Sequence, residues 1–127
     1  KSLNKNVIAE LVGFSSKYGK NPDIYSECYK EALNMANLNP KDLYLISSGI
    51  NGVRNERFFL TYQKTFSDCK HIPIVTNKEI FGECYGASGA LQIASALASD
   101  LENVKGKYFA VDNFSIDGNN CVLIFKT

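Results

Sequence analysis

Few residues of this sequence are of the types that carry out nucleophilic or metal chemistry. There is one histidine, His71, and there are four cysteines: Cys28, Cys69, Cys84 and Cys121. No cysteines form a C-x-x-C pair, and a zinc site needs clustered ligands, so we expect neither a structural metal nor another cofactor. Cys28, Cys84 and Cys121 fall among apolar residues, where a free thiol packs as a small hydrophobe. The pattern therefore predicts buried structural thiols, a surface histidine and, weakly, a cytoplasmic location.

The bulk composition narrows the classes of partner. The chain has 127 residues, of which 21% are charged, and its formal net charge is +1. This balance gives no reason to expect nucleic acid or an anionic membrane as a partner. No apolar stretch reaches the length of about 18 residues that a membrane span needs, and the basic start KSLNKN is not followed by a signal-peptide pattern.

The hydrophobic pattern predicts alternating strands and helices in the order β-α-β-α-β-α-β-β. The expected strands cover residues 7–14, 43–47, 73–76, 107–113 and 120–126, and the expected helices cover 23–37, 54–67 and 84–101. Such alternation implies βαβ units with parallel strands, whereas the turn 115–118 favours an antiparallel last pair. The sequence thus predicts one α/β domain with a mixed, mostly parallel five-stranded sheet and helices packed on it.

A dense motif stands at the start of the last predicted helix. Residues 76–90 read TNKEIFGECYGASGA, with a lysine at Lys78 and glycines at Gly82, Gly86 and Gly89. This segment resembles the signature S-x-K-x-x-x-G-H-x-x-G-A-A-G of the β-ketoacyl-ACP synthase family, whose fold is thiolase-like. Glu83 stands where the family has its histidine.

Two further segments extend the resemblance along the chain. Residues 48–52, SGING, with Glu56, resemble H-G-T-x-T-x-x-x-D, and Ser48 takes the place of that motif's histidine. Residues 111–125 resemble the closing Asn-Ser-Phe-Gly-Phe-Gly-Gly hairpin, here beginning Asp112-Asn113-Phe114. The resemblance covers residues 1–127 as a synthase C-terminal domain, a thiolase-like half-domain. The family's nucleophilic cysteine lies in the other half.

The resemblance implies a decarboxylative condensation of thioesters, for which this chain lacks the required groups. The family uses a thiolate nucleophile and neutral imidazoles that donate hydrogen bonds to the developing enolate oxygen. An ionised Glu83 only accepts hydrogen bonds, and Ser48 titrates far from neutral pH. Since removal of one oxyanion donor costs about 100- to 1,000-fold in rate, we expect no condensation by this chain. Glu83 acting as a substitute base is the alternative.

Each of the other motif residues is compatible with a functional role and with a purely structural one. Lys78 supports the histidines electrostatically in the family, but it could simply pair with Glu79 or Glu83. Cys84 opens a helix, where the helix dipole lowers a thiol pKa, but it occupies a non-catalytic position of the motif. Gly82, Gly86, Ala90, Ala94 and Ala98 recur every four residues and predict a ridge of small side chains. Such a ridge packs closely either on this domain's own sheet or on a partner half of the fold.

Three functions are compatible with these residues. The first is a catalytically degenerate subunit of the chain-length-factor type in fatty-acid or polyketide synthesis. It would form a homo- or heterodimer with the N-terminal half of the fold or with an active ketosynthase, and acyl carrier protein would be a further partner. The second is part of a thiolase-fold acyltransferase or hydrolase whose cysteine lies in a missing half. The third is a stand-alone module that binds an acyl group or carrier protein.

Overall fold

A five-stranded mixed sheet forms the centre of the molecule. The computed structural model describes residues 8–49, 63–69, 71–76, 78–82, 87–98, 105–115 and 117–127. The sheet has the order β1-β5-β4-β2-β3, and its strands are β1 (Glu10–Tyr18), β2 (Leu43–Ser48), β3 (Ile74–Thr76), β4 (Tyr108–Phe114) and β5 (Asn119–Lys126). Strand β2 pairs in parallel with β3 and β4, whereas β5 runs antiparallel to β4 and β1. The predicted mixed sheet with one antiparallel strand is therefore confirmed.

Helices lie on both faces of this sheet. The described helices are α1 (Asp23–Met35), α2 (Lys78–Phe81) and α3 (Ser88–Ala98). Two shorter helical segments are a 3₁₀ turn at Pro40–Asp42 and a helical turn at 63–65. The short α2 was not expected from the sequence. Most of the predicted helix 54–67, and both ends of the predicted helix 84–101, lie outside the described residues.

The first strand extends beyond its predicted end at residue 14. Residues Ser15 to Tyr18 are mostly polar, so hydrophobicity gives no strand signal there. Their backbones nevertheless pair with Val122 to Asn119 of β5 at the edge of the sheet. Ladder pairing with a long neighbouring strand thus decides the structure of this polar segment.

The two faces of the sheet are covered to different extents. On one face α1 packs across β1 and β5, and its buried side chains Tyr25, Cys28, Tyr29 and Ala32 meet Ile46, Val122 and Ile124 in the larger core. On the other face α3 packs mainly on β2 and β4, around Phe109, Val111 and Ala96. The half of that face formed by β1 and β5 therefore lacks an equivalent helix among the described residues.

Gly13 sets the distance between α1 and β1. A Cβ atom at this position would overlap the carbonyl oxygen of Ala32 and come within 3.1 Å of the Ala36 Cβ atom. Gly13→Ala is expected to lower the free energy of unfolding by about 1–3 kcal/mol, because helix and strand must separate. Gly89→Ala is the control, since no described atom lies within 4 Å of its Cβ and alanine favours a helix by up to about 1 kcal/mol. Urea unfolding of both variants measures the difference, and equal stabilities would contradict this account of the packing.

Candidate functional site

A buried carboxylate lies at the carboxyl end of β4. Asp112 is 0% exposed and accepts four hydrogen bonds. The hydroxyls of Tyr29 and Tyr25 donate to Oδ2 at 2.6 and 3.1 Å. The Ser48 hydroxyl and the Gly49 backbone N–H donate to Oδ1 at 2.7 and 3.1 Å. We call these five residues the Asp112 cluster.

The electrostatics of the cluster reflect two opposed effects. Burial raises the pKa of the Asp112 carboxyl, while the hydrogen bonds from Tyr29, Ser48, Gly49 and Tyr25 lower it, and burial has the larger effect. Two donors on each oxygen fit the ionised carboxylate, which accepts hydrogen bonds only. Among the described residues, the groups that donate to this carboxyl are hydroxyls and a backbone N–H.

The sheet topology brings Ser48 and Asp112 together. Strands β2 and β4 are parallel neighbours, and Ser48 stands opposite Asp112 in their register. Gly49 then approaches β4 closely, since its N–H also bonds the Asp112 carbonyl at 2.9 Å and a Cβ would lie 2.9 Å from that oxygen. A side chain in place of Gly49 would push the two strand ends apart.

Helix α3 is fastened to the same strand ends by Gln92. Its side-chain amide donates to the backbone oxygens of Asp112 at 2.9 Å and Ser47 at 3.2 Å. In return, the Ser47 hydroxyl donates to the backbone carbonyl oxygen of Gln92. Ser47 and Gln92 are buried. These bonds fix the orientation of α3 about its own axis.

The predicted motifs meet at one edge of the sheet. Ser48 stands opposite Thr76 of β3, and Lys78 begins α2 two residues later. Lys78 is half-buried. Glu83 and Gly86 lie outside the described residues, so neither the replacement of the second histidine nor a Lys78–Glu83 ion pair is tested.

The predicted ridge of small residues divides into two parts. Gly82 lies outside α3, after the end of α2, and has a φ of 72°, a left-handed conformation that suits glycine. In α3, Ser88, Gln92 and Ala96 face the sheet, whereas Ala90, Ala94 and Ala98 are exposed. The sequence allowed the ridge to pack either on this domain's own sheet or on a partner half. The part of the ridge within α3 faces away from the sheet.

An apolar surface lies on β1 and β5, on the same face of the sheet as α3. Leu11 and Phe14 of β1 are 49% and 52% exposed, and they stand opposite the half-buried Phe125 and Leu123 of β5. Phe125 stacks on Phe109, under α3, so the bare strands continue the surface on which α3 packs. We call this surface, together with Ala90, Ala94 and Ala98, the open face.

Sequence reasoning missed most of the Asp112 cluster. Two signals could have revealed it. Asp112 is a charged residue within an otherwise apolar strand, and Tyr25 and Tyr29 are four apart on the apolar side of a helix, so that both point the same way.

The described cysteines are packed as small apolar residues. Cys28 and Cys69 are buried, Cys121 is half-buried and all three are free thiols, while Cys84 lies outside the described residues. Burial raises the pKa of each of these three thiols. Since the thiolate is the reactive form, iodoacetamide at pH 7.5 is expected to label them at least about tenfold more slowly in the folded chain than in urea. Peptide mapping measures the rates, and rapid labelling of Cys28 in the folded chain would contradict the prediction.

The described residues contain no candidate metal site and no candidate membrane span. No group of three or more His, Cys, Asp and Glu side chains lies close enough to hold a metal ion. No described helix combines the length and hydropathy needed to cross a bilayer. His71 is exposed.

Comparison with solved structures gives the fold. The chain superposes on the PfaC keto synthase–chain length factor with a TM-score of 0.81 at 20% identity, covering 95% of this chain and 13% of that one. An oxazolomycin ketosynthase domain of Streptomyces albus gives a TM-score of 0.79 at 17% identity, covering 95% and 30%. AntDE:AntF, a type II acyl-carrier protein in complex with its ketosynthase, gives 0.78 at 16% identity, covering 96% and 39%.

The comparisons also delimit what the chain represents. No family model matches it, and no curated protein matches its sequence. It spans well under half the length of these three solved chains. The chain thus has the fold of a thiolase-like ketosynthase half-domain.

Proposed function

We propose that this chain is a catalytically silent half of a ketosynthase-like assembly, in which it supports a partner of the same fold. It acts as one C-terminal-type domain over residues 1–127. The observation that carries the proposal is the state of Ser48, the residue in place of the first histidine. Ser48 is 1% exposed, and its hydroxyl donates to Asp112 at 2.7 Å.

A hydroxyl in this state is a poor oxyanion donor. To donate to an enolate oxygen, Ser48 would have to give up its hydrogen bond to a buried carboxylate. An oxyanion within hydrogen-bond distance of Ser48 would also lie about 5–6 Å from that carboxylate. At an effective dielectric constant of about 20, the repulsion is about 3 kcal/mol. Asp112 and Ser48 together therefore oppose the negative charge that an imidazole pair would stabilise.

The open face supports the proposed partner. Isolated domains rarely expose a contiguous apolar surface, and this one combines aromatic strand residues with a smooth helix side that permits close approach. The matched structures continue well beyond the part that this chain covers. We assign the surface to a second thiolase-like half-domain, either the N-terminal half of the same fold or an active ketosynthase. Acyl carrier protein then serves the assembly, as the AntDE:AntF complex suggests by analogy.

Co-expression tests the proposal. The coding sequence upstream of this domain, or a neighbouring ketosynthase gene, supplies the candidate partner half. We expect a stable complex with 1:1 stoichiometry by gel filtration with light scattering. A chain that stays monomeric and fully soluble beside every such half would contradict the supporting role.

A further inference from the structure

A concave site lies on the α1 side of the sheet, opposite the open face. It is bounded by α1, by residues 38–40 and by the helical turn at 64–65. Its volume is about 330 Å³, which falls in the range of pockets that hold small molecules. We call it the α1 pocket.

The lining of the α1 pocket is apolar inside and cationic at its rim. Leu38, which is half-buried, and Leu33, which is 3% exposed, supply apolar surface to the lining, whereas Tyr29, although it borders the pocket, is 0% exposed. Lys30 and Lys64 are exposed at its rim. No carboxylate is among the described residues that line it.

Neither rim lysine is neutralised by a described acidic side chain. The ion pairs of the described residues join Lys17 to Glu27 and Glu31, on another side of α1. Ser26 and Thr65 add hydroxyl groups at the pocket, with their oxygens 2.6 Å apart. A ligand with one negative end and an apolar body would match both parts of this lining.

We propose that the α1 pocket binds a small organic anion, namely a carboxylate with a short unbranched alkyl chain. The alkyl chain lies against Leu33 and Leu38, and the carboxylate faces Lys30 and Lys64. This binding is separate from the supporting role proposed above and needs no partner chain.

A titration with hexanoate, followed by NMR of the 127-residue chain, tests the proposal. A dissociation constant of about 1 mM is expected for a ligand of this size. Pentan-1-ol and pentylamine, which carry the same alkyl chain as hexanoate but no negative charge, should bind at least about threefold more weakly. Affinity should rise about fourfold per added methylene from butyrate to hexanoate, while the pocket accommodates the chain.

Charge variants locate the binding. Lys30→Gln and Lys64→Gln should each weaken hexanoate binding about threefold, and the double variant about tenfold. Lys20→Gln, which changes an exposed lysine outside the pocket lining, should bind like the parent chain. No saturable binding up to about 10 mM, or equal affinity for hexanoate and pentylamine, would overturn the proposal.

Hexanoate binding can be measured independently of association with the proposed partner half. Ala94→Arg alters the open face and should leave hexanoate binding unchanged. If hexanoate binds while no half-domain associates, the partner proposal fails alone. If the complex forms but hexanoate does not bind, the pocket proposal fails alone.

Discussion

Asp112→Ala is expected to lower the free energy of unfolding by about 3–5 kcal/mol, the largest loss predicted for a single residue here. The substitution removes the carboxylate that accepts hydrogen bonds from the hydroxyls of Tyr25, Tyr29 and Ser48. A hydrogen bond to a charged group contributes about 1.5–3 kcal/mol, and the cavity adds to the loss. Urea unfolding followed by circular dichroism measures the change.

Two variants control this experiment. Asp117→Ala removes a carboxylate from the exposed turn before β5 and should change stability by less than about 0.5 kcal/mol. Asp112→Asn keeps one carbonyl oxygen and should lose less than the alanine variant, because the hydroxyls can turn to accept from the new amide. If Asp112→Ala were as mild as Asp117→Ala, the cluster would not stabilise the fold.

The raised pKa of Asp112 gives this comparison a pH dependence with a definite sign. Burial favours the protonated carboxyl in the folded state, so the folded chain retains this proton to higher pH than the unfolded chain. Stability from this group is therefore full below the unfolded pKa, about 3.9, and falls as pH rises through the raised folded value. Asp112→Asn should remove that component, and the difference in stability between the two proteins should shift in favour of the variant as pH rises. A shift in the opposite direction would mean that the four hydrogen bonds outweigh burial.

Ala94→Arg is expected to weaken association with the partner half at least about 100-fold. Ala94 is in the middle of the exposed small-residue side of α3, so an arginine there would be buried and unpaired in the complex. An uncompensated buried charge costs about 3–5 kcal/mol, which is two to three orders of magnitude in affinity. The isolated chain should remain as stable as the parent, because residue 94 faces away from the sheet.

Gln63→Arg is the matched control for this variant. Gln63 is also exposed and helical but does not lie on the open face. It should bind the partner half with unchanged affinity in surface plasmon resonance. If both variants bound equally well, the partner would contact some other surface.

The sequence was sufficient to predict the class of fold. The hydrophobic period and the turn residues predicted five strands in their order along the chain, the helix that begins at Asp23 and the antiparallel last pair. The structure confirms all three. The sequence was insufficient where tertiary contacts determine the secondary structure of a segment. The polar end of β1 is a strand because β5 pairs with it, and the brief α2 has no periodic signal of its own.

The candidate site shows the same division. Ser48 was singled out by its place in a motif, but its role depends on Asp112, which is 64 residues away in sequence. Tyr25 and Tyr29 are an ordinary pair of aromatic residues until α1 is placed over the carboxyl end of β4. Spacing alone does not reveal which polar residues of different strands and helices will share one buried acceptor.

The most direct test of the central claim is a condensation assay on the complex of this chain with its partner half. Release of CO₂ from a malonyl-thioester is measured for the parent complex and for Glu83→Gln, with association checked in parallel. If this chain is catalytically silent, any turnover belongs to the partner and the variant should match the parent within about twofold, which is less than 0.5 kcal/mol. A loss of tenfold or more in Glu83→Gln, with the complex intact, would show that this chain contributes a catalytic group and would contradict the account.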